Sequence, residues 1–233
     1  MKKKSYFLRG LVNGIPIALG YLSVSFGFGI HAVTGGLSVI QATLISLLNL
    51  TSAGQLAGVD IIAAHGTLIE MALVQLTVNI RYALMALALS QRLDQKFTFP
   101  HRLLAAYGIT DEIFGAAIAQ KEPLKPSYFY GMILIAATGW IAGTFLGAAA
   151  GEILPPDISA ALGIVLYGMF IAIIVPPAKK ERGILAAVCI AALLSILCTQ
   201  FLPMISGGFS VIICAVTAAV AAALIFPKTE DTP

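Results

Sequence analysis

Residues 104–120, LAAYGITDEIFGAAIAQ, are apolar except at their centre, where Thr110, Asp111 and Glu112 stand together. Two adjacent carboxylates on a helix point about 100° apart, so they do not share a proton as a dyad. One can face a ligand or a coupling proton while the other pairs within the protein. The competing reading is a shallow hairpin turn that reaches water, with Thr110 as a plain N-cap. A second charge stands alone at Arg81 in VQLTVNIRYALMALA. By helical rise it lies about 12 Å inside its apolar segment. It either snorkels to the interface or serves as a buried cation for a carboxylate, and its candidate protein mate is Glu112. Gln75 and Asn79 share a helix face, whereas Asn79 and Arg81 lie about 200° apart and cannot line one narrow path along a regular helix. Ser52, Gly54 and Gln55, in NLTSAGQLAGVD, have the composition of an unwound helix centre, where free N–H groups can hold an anion. A polar helix–helix contact is the plainer alternative there.

These groups have to be held by elements of a particular kind. The chain has 233 residues, 59% hydrophobic and 11% charged, with a mean hydropathy of +0.94. A soluble domain carries about 25% charged residues, so this composition predicts an all-α polytopic membrane protein formed as a single transmembrane domain over residues 1–233. The start, MKKKSYFLRGLVNGIPIALGYLSVSFG, resembles a signal peptide. Its apolar part runs on past Phe28 without a small-residue cleavage site, which predicts a first helix instead. Pro16 and Gly20 mark a kinked or closely packed stretch of that helix.

Apolar segments lie at about 11–30, 37–59, 67–89, 103–120, 128–150, 158–177, 183–202 and 208–226. If all eight cross from a cytoplasmic N-terminus, Arg92, Lys96 and Arg102 fall outside, against the positive-inside bias. If 37–65 is a broken hairpin from the outer side and 103–120 a re-entrant one from the inner side, the charges sort. Lys2, Lys3, Lys4, Arg9, Arg92, Lys96, Arg102, Lys121, Lys125, Lys179, Lys180, Arg182 and Lys228 then share the cytoplasmic face. Asp60, Glu152 and Asp157 lie outside. The two exceptions must occur as a pair, because one alone would invert the second half. Both segments carry interruptions, and Gly108 before Thr110 marks the second break. The expected fold is therefore six full transmembrane helices plus two broken or re-entrant segments, with eight plain spans as the alternative.

No H-E-x-x-H, G-x-S-x-G or Walker A motif occurs, so no catalytic residue, cofactor or metal ligand is assigned. His31, His65 and His101 sit at segment ends. Cys189, Cys198 and Cys214 lie in apolar stretches and suggest neither a disulfide framework nor a metal site. No basic face for nucleic acid is present. Broken membrane segments with a few buried charges read as a secondary transporter. A channel-like pore or a non-transporting scaffold subunit are the alternatives.

The stretches GIPIALGYLSVSFGFG, TSAGQLAG, VNIRYALMALAL and GITDEIFGAA, in this order and spacing, resemble the AzlC (azaleucine-resistance) branched-chain amino-acid permeases over roughly residues 8–175. The matching positions are Pro16, Gly20, Gln55, Asn79, Arg81, Thr110, Asp111 and Glu112. The resemblance implies export of leucine, isoleucine, valine and methionine-like amino acids across the cell membrane, with a small AzlD-type membrane partner. Small residues on segments 11–30 and 128–150 (GWIAGTFLGAAAG) are expected to supply close-packing faces for that partner.

Overall fold

The computed structural model describes residues 5–155, 157–158, 168, 171 and 174–227. Its named elements are α-helices: α1 (Tyr6–Thr34), α2 (Val39–Leu48), α3 (Ala53–Ala63), α4 (Leu68–Ser90), α5 (Phe99–Ala106), α6 (Asp111–Ile118), α7 (Pro126–Ile153), α8 (Arg182–Phe201) and α9 (Gly207–Ile225). Among the described residues, α1, α4, α7, α8 and α9 are long and apolar enough to cross a membrane. The sixth expected span, 158–177, falls largely outside the described residues. The four short helices come in two pairs. At 8 to 11 residues each, they reach about 12–17 Å by helical rise, against roughly 30 Å of bilayer hydrocarbon. Both segments with polar interruptions are thus broken in the middle, at 49–52 and at 107–110.

The chain divides into two compact units. One comprises Met1–Leu56 with Asn79–Leu166, the other Ala57–Val78 with Tyr167–Pro233; α3 and α4 contribute residues to both. The first unit is built on α1 against α7. Gly139, Gly143 and Gly147 of α7 lie against the backbone of Ala18, Leu22 and Phe26, and Gly151 against Ile30. Both series advance by four residues in the same direction, so the two helices run parallel. A Cβ on Gly147 would sit 2.7 Å from the Phe26 Cα, too close for any side chain. In lipid, where apolar association gains little, such backbone contact is what holds two helices together. From the other helix, Gly10 and Gly14 admit the backbone of Tyr128 and Met132.

Two expectations change here. The small-residue face of α7 is taken up by α1 within the chain, so it does not remain for a partner subunit. Gly20 faces open space with no neighbour within 4 Å of its Cβ position; the packing glycines of α1 are on another side. Pro16 removes one ladder hydrogen bond, yet α1 runs uninterrupted from Tyr6 to Thr34. The chain is interrupted instead at the two hairpins.

The parallel pair requires that broken segments occur in an even number between α1 and α7. The position of α5–α6 goes further. Asp94 N–H donates to Leu124 O at 2.9 Å and Leu124 N–H to Arg92 O at 2.8 Å. Arg92 Nη2 donates to Gln120 O at 2.5 Å, His101 Nδ1 lies 2.7 Å from the Tyr130 hydroxyl, and Arg9 lies 3.8 Å from Glu122. The end of α4, both feet of the α5–α6 hairpin and the starts of α1 and α7 therefore share one end of the unit. Segment 103–120 leaves at the end it enters. At the opposite end α2 departs from the terminus of α1, through Leu37 N–H to Ala32 O at 3.0 Å, and runs back until Ser46 meets Thr144 of α7.

In the second unit α8 packs on α9, with the free thiols of Cys198 and Cys214 4.0 Å apart. Glu70, in the first turn of α4 and only 5% exposed, accepts from Ser206 Oγ and from Gly208 N–H at 3.1 Å. It thus caps the start of α9, where helical N–H groups need acceptors. Gly58 of α3 faces Gln75 of α4 at 3.3 Å.

Candidate functional site

The break at 107–110 forms because Gly108 allows the chain to lie against Ile133 with no Cβ between them, and because Thr110 restarts the helix. Thr110 adopts extended backbone and its hydroxyl accepts from Ile113 N–H at 3.4 Å. Asp111 and Glu112 then occupy the first turn of α6, where the positive end of the helix favours carboxylates. From this shared turn they diverge.

Asp111 pairs with Arg81 of α4. The Arg81 guanidinium also reaches the Tyr82 hydroxyl at 3.3 Å and lies 5.0 Å from the centre of that ring. The two charged side chains are 39% and 36% exposed, so the pair is only partly buried. Glu112 takes the other direction. Its Oε2 lies 2.6 Å from the Tyr21 hydroxyl, which is also 2.6 Å from Thr110 Oγ1. A phenol has one proton. With Glu112 ionised, Tyr21 donates to the carboxylate and Thr110 donates to Tyr21. The Tyr21 ring meets Trp140 edge-on at 5.3 Å. Trp140 lies about 21 Å along α7, the middle of a helix roughly 42 Å long by its rise. The expected pairing of Arg81 with Glu112 is therefore replaced by Arg81 with Asp111. The reason is rotational: the face of α6 that turns toward α1 carries Glu112, and the face toward α4 carries Asp111.

The second break meets the first. The Tyr107 hydroxyl donates to Leu47 O at 2.7 Å, one of the last carbonyls of α2, which have no partner within their own helix. After α2, Asn49 Oδ1 accepts from Thr51 N–H at 2.9 Å, and Ser52 adopts φ +37°, a left-handed conformation that costs a side-chain-bearing residue about 1–3 kcal/mol. Gln55, 3% exposed, donates from Nε2 to Ser46 Oγ at 3.0 Å, and Ser46 lies 2.7 Å from Thr144 Oγ1. A Cβ on Gly54 would stand 2.8 Å from both amide atoms of Asn79 and 2.6 Å from Thr51 Oγ1, so a larger residue there would displace both side chains. Among the described residues, Gln55 Oε1, Thr51 Oγ1, Ser25 Oγ and Trp140 Nε1 are buried without a hydrogen-bond partner. Each such group costs about 1–3 kcal/mol, and two of them, on Thr51 and Gln55, belong to this break.

The sequence candidates thus fall at two tips. Arg81, Thr110, Asp111 and Glu112 gather at the α5–α6 tip. Ser52, Gly54, Gln55 and Asn79 gather at the α2–α3 tip, and Tyr107 joins the two. Asn79 faces α3 while Arg81 faces α6, as their angular separation requires. Tyr21, Tyr82, Tyr107, Trp140, Ser46 and Thr144 were not singled out by sequence. A signal existed for the aromatic ones: a tyrosine or tryptophan deep in an apolar span must find a partner for its polar atom. Among the described residues, no three His, Cys, Asp or Glu side chains group closely enough to hold a metal ion.

A family model described as AzlC protein matches residues 16–154, a stretch that contains both breaks and the ion pair. A membrane protein of Archaeoglobus fulgidus is 32% identical over 190 residues, covering 81% of this chain and 83% of its own length. The Escherichia coli inner membrane protein YgaZ is 27% identical over 195 residues, covering 81% and 78%. A Helicobacter pylori membrane protein is 26% identical over 201 residues, covering 79% and 86%. No solved structure matches the chain.

Proposed function

The chain belongs to the AzlC family, and from that premise we propose that it is a secondary transporter exporting branched-chain or related hydrophobic amino acids. In this reading residues 1–233 act as one transport domain in the inner membrane, with the N-terminus cytoplasmic and a small AzlD-type membrane subunit as partner. The observation that carries the proposal is the half-exposed Arg81–Asp111 pair at the meeting point of two broken hairpins. An ionised side chain in hydrocarbon costs about 2.5–3.5 kcal/mol on insertion scales, so a pair held at this depth needs a task or a polar surrounding. A zwitterion is complementary to it. Its carboxylate replaces Asp111 on Arg81 and its ammonium replaces Arg81 on Asp111, so one ion pair becomes two.

Glu112, Thr110 and Tyr21 hold the α6 turn against α1 while this exchange occurs. Gln55, Thr51 and the strained Ser52 form the second tip, whose unsatisfied polar atoms favour rearrangement when a ligand or water reaches them. The inner-membrane assignment draws on the similarity to YgaZ, an inner membrane protein. The test is counterflow of labelled leucine, isoleucine, valine and methionine in proteoliposomes, with and without the small subunit. Accelerated exchange that is strongest with both chains present is expected. If no amino acid exchanges in either preparation, the transport reading is wrong.

A further inference from the structure

An apolar cavity of about 200 Å³ lies in the first unit, lined chiefly by Leu89, Phe97, Ala105, Ala106, Ile109 and Phe129. Ser90 and Arg102 also border it but contribute almost no polar surface to it; Ser90 Oγ donates to Leu87 O at 2.6 Å, and Arg102 Nε donates to Phe97 O at 3.2 Å. Ile109, at one end of the cavity, is followed directly by Thr110 and Asp111. The cavity wall thus includes the residue two positions before Asp111, so the α5–α6 tip joins it to the ion pair. Ala86 of α4 is also on the wall.

We infer that this cavity receives the aliphatic side chain of the substrate and sets the size that the carrier accepts. The inference rests on the transport reading above and adds to it the part of the site that distinguishes one amino acid from another. Its chemistry suits that role. Because almost no polar surface faces the cavity, a hydroxyl or amide side chain entering here loses its water without compensation, whereas a branched alkyl group gains burial. Its size makes it selective, because one methylene more or less in a close-fitting apolar pocket changes relative rates by about 10-fold or more. The ion pair, by contrast, contacts only groups that all amino acids share.

Ala106 and Ala86 are suited to a test because neither is fully buried, so each can be enlarged without forcing a side chain into the packed core. Wild type, Ala106→Leu, Ala86→Leu and Ile109→Ala are reconstituted with the small subunit, and exchange of leucine, valine, alanine and phenylalanine is compared in one competition assay. Either substitution should lower the leucine-to-alanine ratio by at least about 10-fold, with folded protein recovered as for wild type. Ile109→Ala should shift the preference the other way, towards phenylalanine. Unchanged ratios in both leucine variants overturn the inference. So does an equal loss for every substrate, which is the outcome expected if the cavity holds a lipid acyl chain or serves packing alone. If wild type exchanges no amino acid, the transport reading fails and takes this inference with it; ratios that stay fixed on a working carrier refute the pocket by itself.

Discussion

Breaking the Arg81–Asp111 pair from each side separates its structural from its transport role. Removing one partner of a fully buried pair costs about 3–5 kcal/mol, and an exposed pair contributes about 0–1 kcal/mol. With side chains 39% and 36% exposed, the intermediate value of about 1–2 kcal/mol applies. For a chain of this size that corresponds to a fall in Tm of roughly 2–8 °C. The two single changes are not equivalent. Arg81→Gln leaves Asp111 at the start of α6, where helical N–H groups still stabilise a carboxylate. Asp111→Asn leaves the guanidinium with the neutral Tyr82 hydroxyl at 3.3 Å in place of a carboxylate, so it should destabilise more. In the double variant no charge is stranded, and the measured cycle should show a coupling of about 0.5–2 kcal/mol. Counterflow should be lost in all three, including the double variant whose stability recovers. Thermal unfolding in detergent and exchange in proteoliposomes read the two effects separately. Additive stability losses would refute the ion pair, and wild-type flux in Asp111→Asn would refute its role in binding.

Tyr21→Phe leaves Glu112 and Thr110 without the shared hydroxyl and should lower stability by about 1–3 kcal/mol, whereas Glu112→Gln keeps an acceptor for Tyr21 and should melt within a few degrees of wild type; the reverse order would contradict the hydrogen-bond assignment. Gly147→Val drives a side chain into the Phe26 backbone, and overpacking of about 1–3 kcal/mol or more should show as loss of monodisperse protein in size-exclusion chromatography. Glu70→Ala should lower Tm by an amount corresponding to about 1–3 kcal/mol, since the Ser206 hydroxyl and Gly208 N–H lose their acceptor, with substrate ratios unchanged. In a background lacking Cys189, Cys198 and Cys214, single cysteines at Asp94 and Glu122 should react with an impermeant thiol reagent from the same side of the membrane, and labelling from opposite sides would sink the re-entrant geometry of 103–120.

The membrane class and the two breaks were legible in the sequence because each depends on short-range chemistry. A run of apolar residues long enough to span, an Asn-Leu-Thr-Ser interruption, and Gly108 followed by a Thr N-cap act over a few residues and need no tertiary partner. The divergence of Asp111 and Glu112 was legible for the same reason, since helical geometry turns neighbours apart whatever surrounds them. Which partner each would find was not. That depended on α1 and α7 packing in parallel along their glycines, which brings Tyr21 rather than Arg81 to Glu112 and leaves Arg81 facing Asp111. The glycine pattern announced a close helix contact but not its recipient, because a small-residue face fits any helix that can approach it. The cavity beside Ile109 was likewise invisible in sequence, being the space left between α4, the α5–α6 hairpin and α7 after their residues, far apart along the chain, have packed.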